Sequence, residues 1–405
     1  MRGRTRVLIA GGGIGGFTAA VSLLQRGFSV EILEKSPQLG EVGAGVQNSP
    51  NAVRVFHALG LLPEIEAWCH TPQAREVRLW NTGEGPKQPT RNADFVAKYG
   101  FPFINMHRAD LHRILVDAVK RDPNSAIRLG ANCTGFEQDA DGVTVSLEGG
   151  ERLRGAAFVA ADGIHSVMRR HLFGPSTARF TGGVAWRGLI PVEKLPQRMR
   201  ERNGETWLGH NGHVTVYPVR RGEFINVVGH IDRDDWQVES WIERGETEEF
   251  ARDFAGWHEE IQIMIHAIET PYKWALYVHD TLPNWSTGRV TLLGDACHPM
   301  VPYLGQGANM AIEDGYVLGR CFDANADDIP AALRCYEAAR LPRTTRVVNE
   351  SAANMKRFRT PVFADPAQAR DFVNNTWSSQ MDLRAWIYGY DATSVPATEA
   401  QQANA

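Results

Sequence analysis

Residues 7–34 read VLIAGGGIGGFTAAVSLLQRGFSVEILE, and their order decides the fold. Val7 to Ala10 form a short apolar run, the pattern of a strand buried on both faces. Gly11, Gly13 and Gly16 follow at GxGxxG spacing, with Gly12 and Gly15 between them. An apolar helix pattern then runs to about Gln25, and Ser29 to Leu33 reads as a second strand ending in Glu34. In a dinucleotide-binding turn the first glycine permits the tight bend and the second lets a pyrophosphate approach the backbone. The third lets helix and strand pack closely. The helix start offers its free N–H groups and positive dipole end to the phosphates. Glu34 stands where an acid takes the ribose hydroxyls. Arg2, Arg4 and Arg6 ahead of an apolar run also fit a secretory signal, with Ala19 or Ala20 near a cleavage point. The run has the length of a membrane span too. Five glycines inside it and the acidic strand end speak against both.

A chain of 405 residues has room for two domains and a sizeable core. Its 43% hydrophobic and 22% charged residues match a soluble globular protein. A net charge of −4 gives no ground to expect nucleic acid or an anionic membrane as partner. No other apolar run reaches membrane length, so no integral membrane segment is expected. The five cysteines are scattered, odd in number and without a C-x-x-C pair, which reads as reduced thiols in a cytoplasm. Cys297 and His298 are adjacent, and two neighbours do not make a metal site.

Further along, Gly40 to Gln47 is too glycine-rich for regular structure and suits close approach of backbone to a ligand. Phe158 to Ala161 is another buried strand and ends in Asp162-Gly163. Arg289 to Leu293 is a third and ends in Gly294-Asp295, with a long helix starting near Gly307. Alternating pieces between Gly182 and Tyr277 indicate an antiparallel sheet, with helices near 246–255 and 259–268. The expected fold is α/β, a Rossmann-like nucleotide domain interrupted by a β-sheet substrate domain. The first takes residues 1–75, 101–181 and 278–345, and the second takes 76–100 and 182–277. A C-terminal helical segment, 346–391, loosens after Asp365, and a disordered tail covers 392–405. Trp241, Trp257, Trp274 and Trp285 are expected to pack the inserted domain and its edges. Ligands of open α/β sheets sit outside the carboxyl ends of the strands, so the three strand ends converge on one molecule.

The motifs GGGIGG, GEVGAGVQ, HRADL, AADGIHS, GDACHPMVPYLGQGANMAIED and WIYGYD extend over nearly the whole chain. With them the sequence resembles the single-component FAD-dependent aromatic hydroxylases, above all the salicylate hydroxylase and 3-hydroxybenzoate 6-hydroxylase group. It is also similar to 6-hydroxynicotinate 3-monooxygenase. The resemblance implies a para-hydroxybenzoate-hydroxylase-like fold with non-covalent FAD, reduced by NADH or NADPH and reacting with O2. A flavin hydroperoxide would then hydroxylate a phenolic aromatic acid, with or without loss of its carboxylate. By position, Gly11, Gly13, Gly15, Gly16, Glu34 and Lys35 would hold the ADP half. Gly45, Val46, Arg108, Asp162 and Asp295 would meet the rest of FAD. The turn Gly305, Gly307, Ala308 and Asn309 would meet the flavin pyrimidine, where a helix start stabilises negative charge. Pro302 would lie beside the face where oxygen reacts.

On the substrate side, alternation puts His213 and Tyr217 on one face of a strand. The related enzymes carry a histidine and an aromatic residue there, and a histidine with pKa near 6.5 suits removal of a phenolic proton. Gln47 and Tyr303 stand where the pyridine-acid enzyme has histidines, and Tyr303-Leu304 stands where the salicylate enzymes have a histidine-glutamine pair. Arg187 is a candidate for a carboxylate or for the nicotinamide phosphate. The run from Trp377 to Asp391 has two readings, closure of the pocket or packing against a second copy in a homodimer. The alternative substrate is an N-heteroaromatic acid such as 6-hydroxynicotinate. Rivals with the same fold are a flavin halogenase, whose WxWxIP motif is absent, and a reductase of isoprenoid chains. A nicotinamide-only dehydrogenase would use GxGxxG alone, which the Asp162 and Asp295 motifs speak against, and His213, Tyr217 and Pro302 speak against a nucleotide-binding regulator without turnover.

Overall fold

The computed structural model describes residues 5–40, 44–175, 178–236, 238 and 243–403. Glu41, Val42 and Gly43 of the glycine-rich loop, Trp241, and the last two residues of the tail lie outside the described residues. The strand Arg6–Ala10 sits inside a six-stranded sheet, between Ala157–Ala160 and Ser29–Glu34. Ser125–Leu129 continues the sheet on one side, and Val290–Leu292 and Ser286–Thr287 on the other. All pairs are parallel except the short edge pair Ser286–Thr287 with Val290–Leu292. Apolar runs serve here because both faces are covered. One face carries the helices Ile14–Leu24 and Gly307–Ala324, and the core joins residues of both to Val143, Val145 and Leu153 of a three-stranded antiparallel sheet. The two helices touch backbone to backbone. A Cβ on Gly315 would come within 2.5 Å of Ala19 N, and one on Gly319 within 2.2 Å of Ser22 Oγ. Ala10, Ala160 and Leu292 lie level in the register, so their three following turns emerge side by side.

A seven-stranded sheet runs Tyr272–Val278, Arg179–Pro191, Phe224–Asp232, Gly212–Val219, Gly204–Gly209, Ala74–Leu79, Lys87–Pro89. It is antiparallel apart from the pair Gly204–Gly209 with Ala74–Leu79. The cuts expected at 75/76, 181/182 and 277/278 each fall inside one of these strands, which belong whole to the sheet. Ala74-Arg75 and Arg179 are too polar to mark a strand start locally. The outer face is covered by the helices Thr247–Asp253 and Glu259–Ala267, with Trp186 stacked on Phe250 at 5.0 Å and Phe254 and Trp257 beside them. Trp285 packs instead in the nucleotide-side core against Tyr336 and His298. Trp274 lines the central cavity.

The C-terminal part departs from expectation. After the helix Ile329–Phe358, residues beyond Asp365 form the helices Pro366–Ser379 and Met381–Tyr388. The stretch expected to be disordered packs down, with Ala392 and Ala397 buried and a helical turn at Glu399–Gln402. Arg320 donates to the carbonyls of Ala392 and Val395, and Gln402 to that of Cys335. These bonds tie the tail to helices 67 to 75 residues earlier in the chain. Nothing in the local composition announces them.

Candidate active site

The glycine turn follows directly from β-sheet geometry. Gly11 has φ +99°, and its N–H donates to Leu33 O at 2.8 Å. A Cβ there would stand 2.2 Å from Ala161 O, and one on Gly16 would stand 2.2 Å from Gly11 O. A Cβ on Gly15 would meet Leu293 Cδ2 at 2.6 Å. Gly13 faces open space, with nothing within 4 Å of where its Cβ would stand, and it caps the helix Ile14–Leu24 with no side-chain cap bond. The first and third glycines therefore serve the fold, and the second is the one with open space beside it in the cavity lining. Glu34 accepts from Gly12 N–H at 2.6 Å and Ser36 N–H at 2.8 Å, which fixes its carboxylate against the turn. Lys35 is exposed and stands outside this arrangement of contacts. His112, one helical turn after Arg108, donates from Nε2 to Gly12 O at 2.6 Å. Its place four residues after Arg108, on the same helix face, was the available signal for it.

At the second strand end, Ala161, Gly163 and Ile164 line the cavity with Gly163 at φ +80°. Asp162 turns away from that lining. Its Oδ2 accepts from Val167 and Met168 N–H, which makes it a cap of the helix Val167–Phe173, while its buried Oδ1 has no partner. Asp295, at the third strand end, does line the cavity, and its charge favours the cation of Arg108 against the burial that pulls that guanidinium down. Arg108 begins the helix Arg108–Lys120, and its N–H donates to Ala44 O at 2.7 Å.

Pro302–Leu304 forms a 3-10 turn, Gly305 takes φ +63°, and the helix Gly307–Ala324 begins. Gly305, Gly307 and Ala308 face the cavity. Asn309 does not. Its amide donates to Gln47 O at 3.0 Å and to Gly305 O at 2.8 Å, which ties the turn to the strand Gly45–Asn48. Val46 and Gln47 of that strand line the cavity with Gly45, where a Cβ would stand 2.4 Å from the Tyr217 ring.

Behind the turn lies a buried ion network, in which His298, Glu313 and Asp314 of the GDACHPMVPYLGQGANMAIED motif meet two arginines that no motif marks. Arg340 meets Asp314 at 2.7 Å and Glu313 at 2.6 Å, Arg343 meets Glu313 at 2.8 Å, and His298 donates to Asp314 at 2.6 Å. Burial acts to raise both carboxyls. Arg343 and Arg340 outweigh it at Glu313, and His298 and Arg340 at Asp314, so both lie below the usual carboxylate range. Depressed folded pKa values stabilise the protein above the unfolded pKa, and that stability is lost as pH falls through the folded one. Asp314→Ala strands Arg340 beside one remaining carboxylate, and a broken buried pair costs about 3–5 kcal/mol. Its melting temperature at pH 7 should fall by several degrees. A melting curve identical to wild type would remove the network from the account of the turn.

The substrate-side wall is the inner face of the seven-stranded sheet. His213, Thr215 and Tyr217 alternate on the strand Gly212–Val219, and all three line the cavity. His230 stands opposite His213 across the strand pair, with rings stacked at 4.3 Å and 9°. Tyr303 and Phe358 close round His213, each 4.9 Å from it. Burial, His230 and Arg359 hold the His213 imidazole well below the usual histidine range, and burial with Arg359 takes His230 down to about 3. The expectation of a pKa near 6.5 for His213 is corrected accordingly. The side chain is a neutral imidazole at pH 7. Burial pushes the Tyr217 phenol up, and the Tyr303 phenol up to about 12.

One cavity of about 450 Å³ joins the glycine turn, Asp295 and the 302–308 turn to this wall. Arg75, Arg108, Arg187 and Arg384 line it, and among the described residues Asp295 is the one carboxylate in the lining. The 377–391 run contributes Gln380, Arg384, Ile387 and Tyr388, which favours closure of the pocket over a surface for a second copy. An FAD fits the donor set: a Cβ-free approach at Gly13, an uncapped helix start, Arg108 beside Asp295, and a glycine turn opening a long helix. Among the described residues there is no His/Cys/Asp/Glu group arranged for a metal, and no helix long and apolar enough to cross a membrane.

Comparison with known proteins agrees with this arrangement. Residues 4–351 match the FAD binding domain family. The 3-amino-4-hydroxybenzoate 2-monooxygenase of Streptomyces platensis is 39% identical over 392 residues, covering 97% of this chain and 98% of that one. The 3-hydroxybenzoate 6-hydroxylase of Polaromonas naphthalenivorans is 35% identical, covering 95% and 96%. The crystal structure of Klebsiella pneumoniae HpxO with FAD and uric acid superposes with a TM-score of 0.84 at 27% identity, covering 98% of each chain. The chain belongs to the FAD binding domain family. Within it, this protein is an FAD-dependent monooxygenase of the aromatic hydroxylase group.

Proposed function

We propose that the protein hydroxylates a phenolic aromatic acid of the hydroxybenzoate type, with NADH or NADPH and O2 as co-substrates. The observation that carries this reading is the single cavity in which His213 and Tyr217 face the Pro302–Ala308 turn under an excess of arginines. The names of the relatives, which are hydroxylases of hydroxy- and aminohydroxybenzoates, point the same way. Bound FAD supplies the transfer of two electrons from the nicotinamide to O2 and of one oxygen atom to the ring. The chain's own residues do the rest. The neutral His213 imidazole accepts the phenolic hydrogen bond and takes that proton as the ring is attacked. The Tyr217 phenol stays protonated and donates. Gln47 and the aromatic pair Tyr303 and Phe358 exclude water from the ring. Arg187, buried over Trp274 at 5.1 Å and held at about 10 by burial and Arg108, suits the nicotinamide phosphate. All five cysteines are buried free thiols, which supports a cytoplasmic location.

The test is anaerobic reduction of the flavin by NADH and by NADPH. It is run alone and with 3-hydroxybenzoate, salicylate, 4-hydroxybenzoate, 3-amino-4-hydroxybenzoate and 6-hydroxynicotinate. One acid should accelerate reduction by about tenfold or more, roughly 1.4 kcal/mol in the barrier. Equal rates with every acid would sink the aromatic-acid reading.

A further inference from the structure

The four arginines of the cavity fall into two pairs at opposite ends. Arg108 bears on the charge of Arg187, and Asp295 on that of Arg108, at the cofactor end. Arg75 and Arg384 form the other pair, and neither residue falls within a motif. Arg75 lies on the strand Ala74–Leu79, near the sheet's edge, and Arg384 on the helix Met381–Tyr388. Gln88 stands opposite Arg75 in the edge pairing, and its Oε1 accepts from Arg384 Nη1 at 3.3 Å. Arg75 Nη1 in turn donates to the buried Tyr388 hydroxyl at 2.8 Å. Neutral oxygens thus steer both guanidiniums toward the same part of the cavity.

We infer that Arg75 and Arg384 form the clamp for the substrate's ring carboxylate, one from the sheet and one from the C-terminal helix. This rests on the reading of the substrate as an aromatic acid. Three observations carry it. First, two like charges share a largely dehydrated pocket, and burial with Arg75 takes Arg384 down to about 10. An anion bound between them relieves that repulsion, and planar guanidiniums match the two oxygens of a carboxylate. Second, one residue of the lining links the clamp to the Gly305 turn. A Cβ on Gly204 would be 3.6 Å from Gln47 Nε2 and 4.0 Å from Arg75 Cγ, while one on Gly305 would be 3.8 Å from Gln47 Oε1. Gln47 therefore spans the gap from the Gly305 turn to Arg75. Third, Arg187 starts from a different part of the wall and answers to Arg108, not to Arg75. Its strand is four places from that of Arg75 in the sheet, about 19 Å at ordinary strand spacing. Arg384 also lies beyond residue 351, where the match to the shared FAD domain ends. One half of the clamp thus belongs to the matched domain and the other to the C-terminal segment beyond it.

The experiment compares the FAD-loaded wild type with Arg384→Gln and Arg75→Gln. Each is titrated with 3-amino-4-hydroxybenzoate, 3-hydroxybenzoate and the corresponding uncharged carboxamides, followed by perturbation of the flavin spectrum. Wild type should bind an acid more tightly than its amide. Each variant should lose about tenfold or more of that preference, entirely through weaker acid binding, as expected for a hydrogen bond to a charged group. Arg384→Lys should restore part of it. Variants that keep the wild-type ratio and acid affinity would overturn the clamp while leaving the aromatic-acid reading intact. A wild type without preference for acid over amide would overturn that reading, and the clamp with it. The two variants sit on different elements, so loss of fold in one leaves the other decisive.

Discussion

Gly13→Val is expected to give a folded, nearly colourless protein. The three glycines that a motif treats alike differ in what surrounds them. Gly11 and Gly16 cannot carry a side chain because a Cβ at either position would meet backbone oxygen at 2.2 Å. Alanine at those positions therefore disturbs the sheet and helix themselves. Gly13 has φ −83° and ψ −179°, which any residue adopts, and nothing of the chain approaches its Cβ direction within 4 Å. A valine fits there as long as the cavity holds no pyrophosphate. The affinity for FAD should fall by two orders of magnitude or more, roughly 3 kcal/mol. Far-ultraviolet circular dichroism should match that of wild-type apoprotein. The ratio of flavin to protein absorbance after purification measures the effect. A variant that retains a full complement of FAD would mean that the phosphates pass elsewhere than over this turn.

The same contrast explains what could be read from the residues. Buried strands announce themselves by continuous apolar runs, and their ends by glycine beside an acid, so the three converging turns were legible. Alternation places His213 and Tyr217 on one face, and the structure keeps them there. The features that escape depend on contacts between distant parts of the chain. His230 becomes the partner of His213 only through the register of two strands. Arg75 lies in the polar stretch AREVRL and meets Tyr388 across 313 positions. The motif around Asp162 marks it as a cofactor residue, yet its hydrogen bonds go to the next helix. Asn309 likewise spends its amide on Gln47 and Gly305. In both cases the motif marks a turn whose shape matters, and the polar side chain maintains that shape from behind. Local composition misleads at the C-terminus for a related reason. The segment after 391 is held by hydrogen bonds to helices that precede it by more than 60 residues.

His213→Ala should keep its FAD and lose most hydroxylation. The imidazole sits on the sheet wall, among His230, Tyr303 and Phe358, and touches none of the glycine turn. Flavin content should therefore stay at the wild-type level, and nicotinamide oxidation should continue. Removal of a positioned proton acceptor lowers the chemical step by about 10²–10⁴. Product formation per nicotinamide consumed is the measurement that reports it, and an unchanged ratio would return His213 to a packing role. Its depressed pKa adds a second readout. In the folded state burial and the neighbouring His230 and Arg359 disfavour the imidazolium. The unfolded chain, with an ordinary histidine near 6.5, takes up the proton instead as pH falls. Stability should thus be full above about pH 6.5 and decline below it, by up to ~1.4 kcal/mol per pH unit for each such histidine. On this wall wild type carries two, His213 and His230. His213→Ala carries one, so its urea midpoint should fall less steeply between pH 7 and pH 5 than that of wild type. Equal slopes would mean that His213 binds its proton in the folded protein, and the neutral acceptor invoked for the hydroxylation step would be lost with it.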